Sequence, residues 1–425
     1  LMDAARADAL AARHHLVDEG GWQFRRVDAY RFLPPPPAAV WLGDETAAGC
    51  DAPPLAGAGW TLHPVGSPGL VDARWLDGSN PAQRAELLDG LPAPGADAGG
   101  APFAWAHRAL CRQGLRLRVA APADPGAPPL LLQLRHLPRE AVEAPLLVLD
   151  IEPGARCVLI ESHVRDADAP SCRREVVQNL QVHLRLGAGA QLRHWRLVQP
   201  GPGDRVAQHL HVRLARDAFY GQAMLAGGSA YHLQRAVVEL AAEGAEARLA
   251  SVLLADADKV ERQARVVHAA PRSTSRVDVL ALARERALAV ADLYAGVRQG
   301  ADEADVHQHL AGIPTAGAPR LVLRPQLEIE HDAVQAAHGA TWGRLPDEAL
   351  FLARQRGLDE ATALSLILHG MAASVLAGGL GDEALADTVG ATAALTESLA
   401  RHLRGTRGGE AAVAQPALTG GRRDG

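Results

Sequence analysis

From about residue 115 to 345 the chain is written in short runs of strand length, separated by glycine-containing turns and nowhere by a helical stretch of ten to fifteen residues. Val182-His183-Leu184-Arg185-Leu186 and Gln191-Leu192-Arg193-His194-Trp195-Arg196-Leu197 alternate with period two, which sends successive side chains to opposite faces of a strand. The segments 130–134 and 146–151 are continuous apolar runs, and similar runs recur at 209–214, 236–240, 247–254 and 264–267. Pro153-Gly154-Ala155, Gly187-Ala188-Gly189-Ala190 and Glu243-Gly244-Ala245 mark turns between them. Gly154 and Gly187 lie 33 residues apart, the period of a repeated unit. A doubly wound sheet needs crossover helices between its strands, and their lack disfavours it. A sandwich, a barrel and a solenoid remain. Over a stretch this long the solenoid is the most economical, because each rung contacts only its neighbours.

Helical texture flanks this core. Segments 4–16, 81–88 and 104–113 carry helix-forming residues, interrupted by an extended Pro34-Pro35-Pro36-Pro37 run and a loop-like stretch at 92–102. Past residue 345, Asp347-Glu348 opens a helix that closes at Arg356-Gly357, a basic last turn followed by a glycine suited to a left-handed cap. A longer helix is predicted over 358–376, with Leu364, Ile367, Leu368 and Met371 on one face, and a weaker one over 383–403. The predicted division is a helical and loop region at 1–114, a β-helix core at 115–345, a helical domain at 346–404 and a disordered tail at 405–425. The fold class is mainly β with helical ends.

Composition narrows the function classes. The 425 residues carry a net charge of −6 without a clustered basic face, which argues against nucleic acid as the partner, and 4% aromatics disfavour stacking platforms for bases or sugars. No run of eighteen apolar residues predicts a membrane span, and the N-terminus lacks the pattern of a secretion signal. Cys50, Cys111, Cys157 and Cys172 are scattered without a CxxC pair, as expected in a reducing cytoplasm. There is no GxxxxGK[ST] loop, no HExxH and no GxSxG, so no nucleotide hydrolysis and no catalysis is expected of the chain alone. The pairs His14/His15, His209/His211 and His307/His309 are the obvious metal candidates, but eighteen histidines in 425 residues make such pairs by chance. Cys157 and Cys172 read as buried structural thiols. The alternative from a different class is a β-helix enzyme acting on polysaccharide, which would want carboxylates clustered along one solenoid face; none is evident.

The informative segment is Arg324-Pro325-Gln326-Leu327-Glu328-Ile329-Glu330-His331-Asp332-Ala333-Val334-Gln335-Ala336-Ala337-His338-Gly339-Ala340-Thr341-Trp342-Gly343. It resembles, nearly residue for residue, the P-x-L-E-I-x-x-D-D-V-x-C-S-H-G-A-T-x-G signature of the SufB/SufD scaffold family of iron–sulfur cluster assembly. Asp347-Glu348-Ala349-Leu350-Phe351 and Arg354-Gln355-Arg356-Gly357 resemble that family's D-E-x-x-F-Y-L-x-x-R-G-I segment. His268-Ala269-Ala270-Pro271-Arg272-Ser273-Thr274-Ser275 resembles its H-x-x-P-x-T-x-S element, and Glu19-Gly20-Gly21-Trp22-Gln23-Phe24 a short E-x-W-x-Y element. The resemblance is specific from about residue 260 to 376 and loose elsewhere.

Two positions depart from the family pattern. D-D-V is here Asp332-Ala333-Val334, and the position commonly held by cysteine is Ala336. Soft iron–sulfur coordination is normally cysteinyl, so no thiolate ligand comes from this position. Ala336, the length and the lack of an N-terminal cysteine cluster point to the SufD branch; a SufB-like scaffold holding the cluster itself is the other alternative. The resemblance implies a right-handed parallel β-helix between helical ends, acting as a non-catalytic scaffold subunit. Its implied partners are a SufB-like chain and two SufC-like ABC ATPases, with ATP only on the ATPases and no nucleic acid or membrane. The β-helix ends would pair the scaffold chains, and the helix carrying Leu364 and Leu368 would dock an ATPase, with ordinary packing of that face against the β-helix end as the competing reading. The implied cofactors are a transient iron–sulfur cluster shared with the SufB-like partner and a reduced flavin. His338 is left as the metal ligand of the segment, since a neutral imidazole can ligate iron as in Rieske-type clusters. The competing reading makes it a backbone-bonded residue of a tight His-Gly-Ala-Thr turn. Glu328 is a further ligand candidate, but a buried carboxylate organising that turn is the preferred expectation.

Overall fold

In the computed structural model, which describes residues 4–24, 28–43, 60–65, 68–138, 140–165, 175–343, 345 and 347–404, the period-two runs wind into a parallel β-solenoid. Cys50, Cys172 and the tail from Gly405 lie outside the described residues. The stack starts with β1 (Trp60–Val65), β2 (Val71–Asp77), β3 (Gln113–Val119), β4 (Leu130–His136) and the two-residue β5 (Val142–Glu143). It continues through β6 (Leu146–Ile151), β7 (Arg156–Val164), β8 (Val177–Leu186), β9 (Gln191–Gln199), β10 (Arg205–Leu214), β11 (Phe219–Gly227) and β12 (Tyr231–Leu240). It ends with β13 (Glu246–Asp256), β14 (Lys259–His268), β15 (Thr274–Glu285), β16 (Leu288–Val297), β17 (Ala304–Gly317), β18 (Arg320–Ile329) and β19 (Val334–Trp342). From β6 onward successive strands alternate between two sheets. The first runs β1-β4-β7-β9-β11-β13-β15-β17-β19 and the second β18-β16-β14-β12-β10-β8-β6-β3-β2, with β5 beside β8. Among the described strand pairs only β1 on β4 and β2 on β3 are antiparallel. Those first two strands were not legible in the residue pattern: β2 is a mostly exposed edge strand with no buried alternation.

The turns on one edge stack as a second ladder. Gly154, Gly189, Asp217, Gly244, Arg272 and Glu303 each take a positive φ between 52° and 74°. The N–H of each donates to a carbonyl of the following turn, 2.7–3.2 Å away. Glycine meets the left-handed requirement without a Cβ clash at three of these positions, and ordinary residues bear it at the others. In the predicted 187–190 turn it is Gly189, not Gly187, that is left-handed.

The inward faces of the two sheets meet in one continuous core, in which Leu180, Val182, Leu184 and Leu186 of β8 sit under Leu210, Val212 and Leu214 of β10. Each fully buried side chain of this size contributes roughly 1.5–3 kcal/mol. The outer faces are covered by helices. Helices α1 (Ala4–Val17), α2 (Ala38–Leu42), α3 (Pro81–Leu88) and α4 (Ala101–Leu110) lie on the second sheet, where Trp41, Phe103 and Tyr231 form an aromatic cluster. The Asn80 side chain caps α3 by accepting from the Ala82 and Gln83 N–H groups, with Pro81 in the first turn. On the first sheet lie α5 (Asp347–Gln355), α6 (Glu360–Leu380), α7 (Glu383–Thr388) and α8 (Ala391–Arg404). The weak helix predicted over 383–403 is two helices, because Gly390 is left-handed (φ 78°). Asp359 caps α6 at its start and left-handed Gly381 closes it. Among the described helices α6 is the one long and apolar enough to cross a membrane. Here Leu368, Ala372, Leu376 and Leu380 pack against Trp195, Leu225, Val252 and Leu280 of the first sheet. The approach is closest at Gly379, where any Cβ would collide with the Gln222 carbonyl and the Ala250 methyl.

Candidate functional site

The stack ends in an open rung. Among the described residues β18 is paired only with β16 and β19 only with β17, so one edge of each presents backbone N–H and C=O groups without a described strand partner. Burial falls away toward it: half of β17 is buried, β18 is largely half-buried and β19 is exposed or half-buried throughout. Trp342 is 71% exposed and Ile329 43%, large apolar groups at an uncovered end.

His338 lies on this last strand, so Val334–Trp342 is extended chain and not the tight turn of the competing reading. Val334 packs with Val306 and Leu327 inside the solenoid. Alternation from Val334 puts Ala336, His338 and Ala340 on the same inward face, beside Val306, Gln308 and Leu310 of β17. The position where the family motif holds cysteine thus shares its face with His338. Gln308 is buried and spans the two sheets: its Nε2 donates to the Gln326 carbonyl at 3.3 Å, while its Oε1 has no partner. Glu328 departs from expectation. It is exposed on the outer face of the second sheet and accepts the Tyr294 O–H, because the alternation that turns Leu327 inward turns Glu328 out. Of its neighbours, Glu330 is ion-paired with Arg298 at 2.7 Å and His331 contacts Asp302.

A second constellation, which the sequence pattern did not reveal, is buried in mid-solenoid. Glu161 on β7 accepts from His194 Nε2 at 2.7 Å, from Arg196 Nη2 and Nε at 3.2 Å, and from His163. Arg196 reaches across to the second sheet, donating to Gln208 at 2.8 Å and Gln234 at 3.1 Å. Burial alone would push the Glu161 carboxyl up, but the Arg196 charge and the two histidine hydrogen bonds outweigh it and hold it well below the usual range. Burial also keeps His163 and His194 below the ordinary imidazole value, so the pair Glu161–Arg196 is ionic between neutral histidines. The carboxylate can only accept, so His194 donates from Nε2 and its Nδ1 accepts from the Tyr220 O–H at 3.1 Å. A neighbouring cavity of about 20 Å³, lined in part by His136, His163 and Gln178, holds one water at most. These groups are buried, and through Arg196 they join the sheets.

The other histidine candidates are taken up individually. His14 pairs with Asp18 and His15 with Glu19, His307 with Asp305 at 2.9 Å, and His309 lies 4.0 Å from Asp278. His209 is buried against the Phe103 ring, and His211 stacks on His183 with ring centres 4.7 Å apart. His268 explains its motif: its two ring nitrogens meet the Ser273 and Ser275 hydroxyls at 2.8 and 2.7 Å. Cys111 and Cys157 are buried, which pushes both thiols up to about 12, away from the thiolate a metal needs. Among the described residues no three His, Cys, Asp or Glu side chains converge as a metal site. An ion on His338 would take its other ligands from beyond these residues.

Residues 137–371 match the family model for SUF system FeS cluster assembly, SufBD core domain. Over 243 residues the chain is 27% identical to the iron-sulfur cluster assembly protein SufD of Escherichia coli (strain K12), covering 57% of this chain and 56% of that protein. Over 179 residues it is 31% identical to iron-sulfur cluster assembly SufBD family proteins of Mycobacterium bovis and Mycobacterium tuberculosis, covering 39% of this chain and 44% of each. The chain spans about half the length of the curated relatives it matches. The family match takes in the open rung, His338 and the buried Glu161–Arg196 cluster. The chain belongs to the SufB/SufD family of SUF-system iron–sulfur cluster assembly proteins and is a SufD-like member of it.

Proposed function

We propose that this chain is the SufD-like half of a cytoplasmic iron–sulfur cluster scaffold, without catalysis of its own. It pairs through its open rung with a SufB-like chain, and His338 supplies one ligand to a cluster that the two chains share transiently. The cluster is cargo, delivered and released. The observation that carries this reading is an exposed imidazole on the last strand of a solenoid whose edge has no strand partner among the described residues. Such an edge suits strand-to-strand pairing, and a lone neutral imidazole suits a site completed by thiolates from another chain.

A SufC-like ABC ATPase docks on the C-terminal helices in this reading and is the subunit that binds ATP. The helix face predicted for docking is largely spent on the first sheet, since Leu368 is buried there and Leu364 packs beside it. The docking surface is instead Phe351, Leu352 and Leu366, which are 57%, 48% and 61% exposed. A reduced flavin, which the family resemblance suggests, belongs to the assembled complex.

Co-expression with a SufB-like chain and a SufC-like ATPase tests the reading. His338→Ala, on an exposed strand, should leave the complex assembled and lower its iron and sulfide content roughly tenfold or more, by analogy with the loss of supporting groups around metals. His338→Cys should restore part of it. Equal cluster content in wild type and His338→Ala would remove His338 from the site, and failure to co-purify with either partner would overturn the scaffold assignment.

A further inference from the structure

Beneath the open rung, the Gln308 side chain is buried and half satisfied. The Gln326 carbonyl can only accept, so the Gln308 amide must turn its nitrogen toward it, at 3.3 Å. This fixes the orientation of the amide and leaves Oε1 as an acceptor without a donor. A buried polar atom left unpaired costs about 1–3 kcal/mol, so its persistence asks for a partner. The residue opposite Gln308 in the β17–β19 register is His338, on the same inward face, and it too makes no side-chain hydrogen bond among the described residues. An imidazole that ligates a metal through one nitrogen carries its proton on the other, and a fixed acceptor beside that proton sets both the tautomer and the plane of the ring.

We propose that Gln308 is the positioning residue for His338: its Oε1 accepts the ring N–H, so that the other nitrogen presents its lone pair to iron at the open rung. The inference rests on the reading of His338 as a ligand and adds to it the group that aims the ring. Gln308 itself touches no metal. Its only free atom is spent on the imidazole, and its other end is tied to the opposite sheet. The ring is thereby referenced to both sheets, although it stands on an exposed strand.

The test uses the full chain, alone and co-expressed with its scaffold partners. Gln308→Met keeps the shape and removes the acceptor; Gln308→Glu keeps an acceptor at the same place. In the nitrogen-15-histidine-labelled chain alone, wild type should show His338 in one tautomer and Gln308→Met a mixture, with Gln308→Glu like wild type. In the complex, Gln308→Met should retain cluster roughly tenfold less well, and Gln308→Met with His338→Ala no less than His338→Ala alone. If Gln308→Met disturbs the circular-dichroism spectrum, Gln308→Asn, which withdraws the same amide by one methylene, takes its place. Unchanged tautomer and cluster content in the Gln308 variants, with loss in His338→Ala, overturns the positioning role and leaves the ligand. Full cluster content in His338→Ala overturns the ligand, and the tautomer comparison then decides by itself whether Gln308 orients the ring.

Discussion

Glu161 and Arg196 are charged residues where no water reaches, and each is tolerable only because of the other. Glu161→Gln leaves a buried guanidinium without a counter-charge and Arg196→Met leaves a buried carboxylate, so each should cost about 3–5 kcal/mol in urea unfolding. The double variant should cost clearly less than the sum, because neither orphan remains. Additive losses would mean that the two charges do not lean on each other. The cluster was illegible in the sequence because its members are remote: Arg196 is 35 residues from Glu161 and 38 from Gln234, and only the rung register brings them together. His338 was legible for the opposite reason, standing in a contiguous motif. Gln308 was hidden again, one rung away from the residue it faces.

The polar interior also blurs the elements. Strands read from apolar runs as beginning at Val182, His209, Ala236 and Ala264 begin at Val177, Arg205, Tyr231 and Lys259. The missing starts contain the inward residues Gln178, Gln208, Gln234 and Arg262; the glutamines hydrogen-bond from rung to rung along the second sheet and Arg262 donates to Gln222 of the first, which breaks the apolar alternation without breaking the strands. The helices were legible more directly, since caps such as Asp359 and Gly381 act locally. The turn ladder offers a test at this scale. Asp217 sits at φ 55° in a position that glycine fills in three other rungs. Asp217→Gly should raise stability by about 0.5–1 kcal/mol, the relief of a left-handed Cβ less the entropy that glycine adds to the unfolded chain. Gly244→Ala should do the reverse, at φ 72° and with Asp217 crowding the new methyl. A lower thermal midpoint for Asp217→Gly would mean that the aspartate side chain earns its place.

Across the whole molecule, buried titratable groups set a narrow pH optimum. Burial presses His107, His232, His268 and His402 down to about 4. Folded they are neutral, while unfolded they take up protons below about 6.5, so stability falls as pH drops from there toward 4, by roughly 1.4 kcal/mol per unit for each. Glu161, held low, adds its own loss below about 4.5. Glu261 and Asp258 act oppositely: burial raises them to about 8 and 7, so they are protonated in the fold, and stability is lost as pH rises from about 4 toward 8. The histidines outnumber them on the acid side, which puts the maximum near pH 6.5; a denaturant midpoint that climbed steadily to pH 8 would contradict these burials. A short stretch of chain joins the open rung to the C-terminal helices. The strand bearing His338 ends at Trp342 and α5 begins at Asp347, five peptide steps on, a tether that no conformation stretches beyond roughly 18 Å. Helix α6, close behind, is seated across several rungs through Gly379 and its leucine face. A pull on the outer helices therefore meets two attachments: the leucine face of α6 on the rungs, and a short leash from α5 to the last strand. A displacement of α5 beyond the reach of that leash would have to move the strand that carries His338.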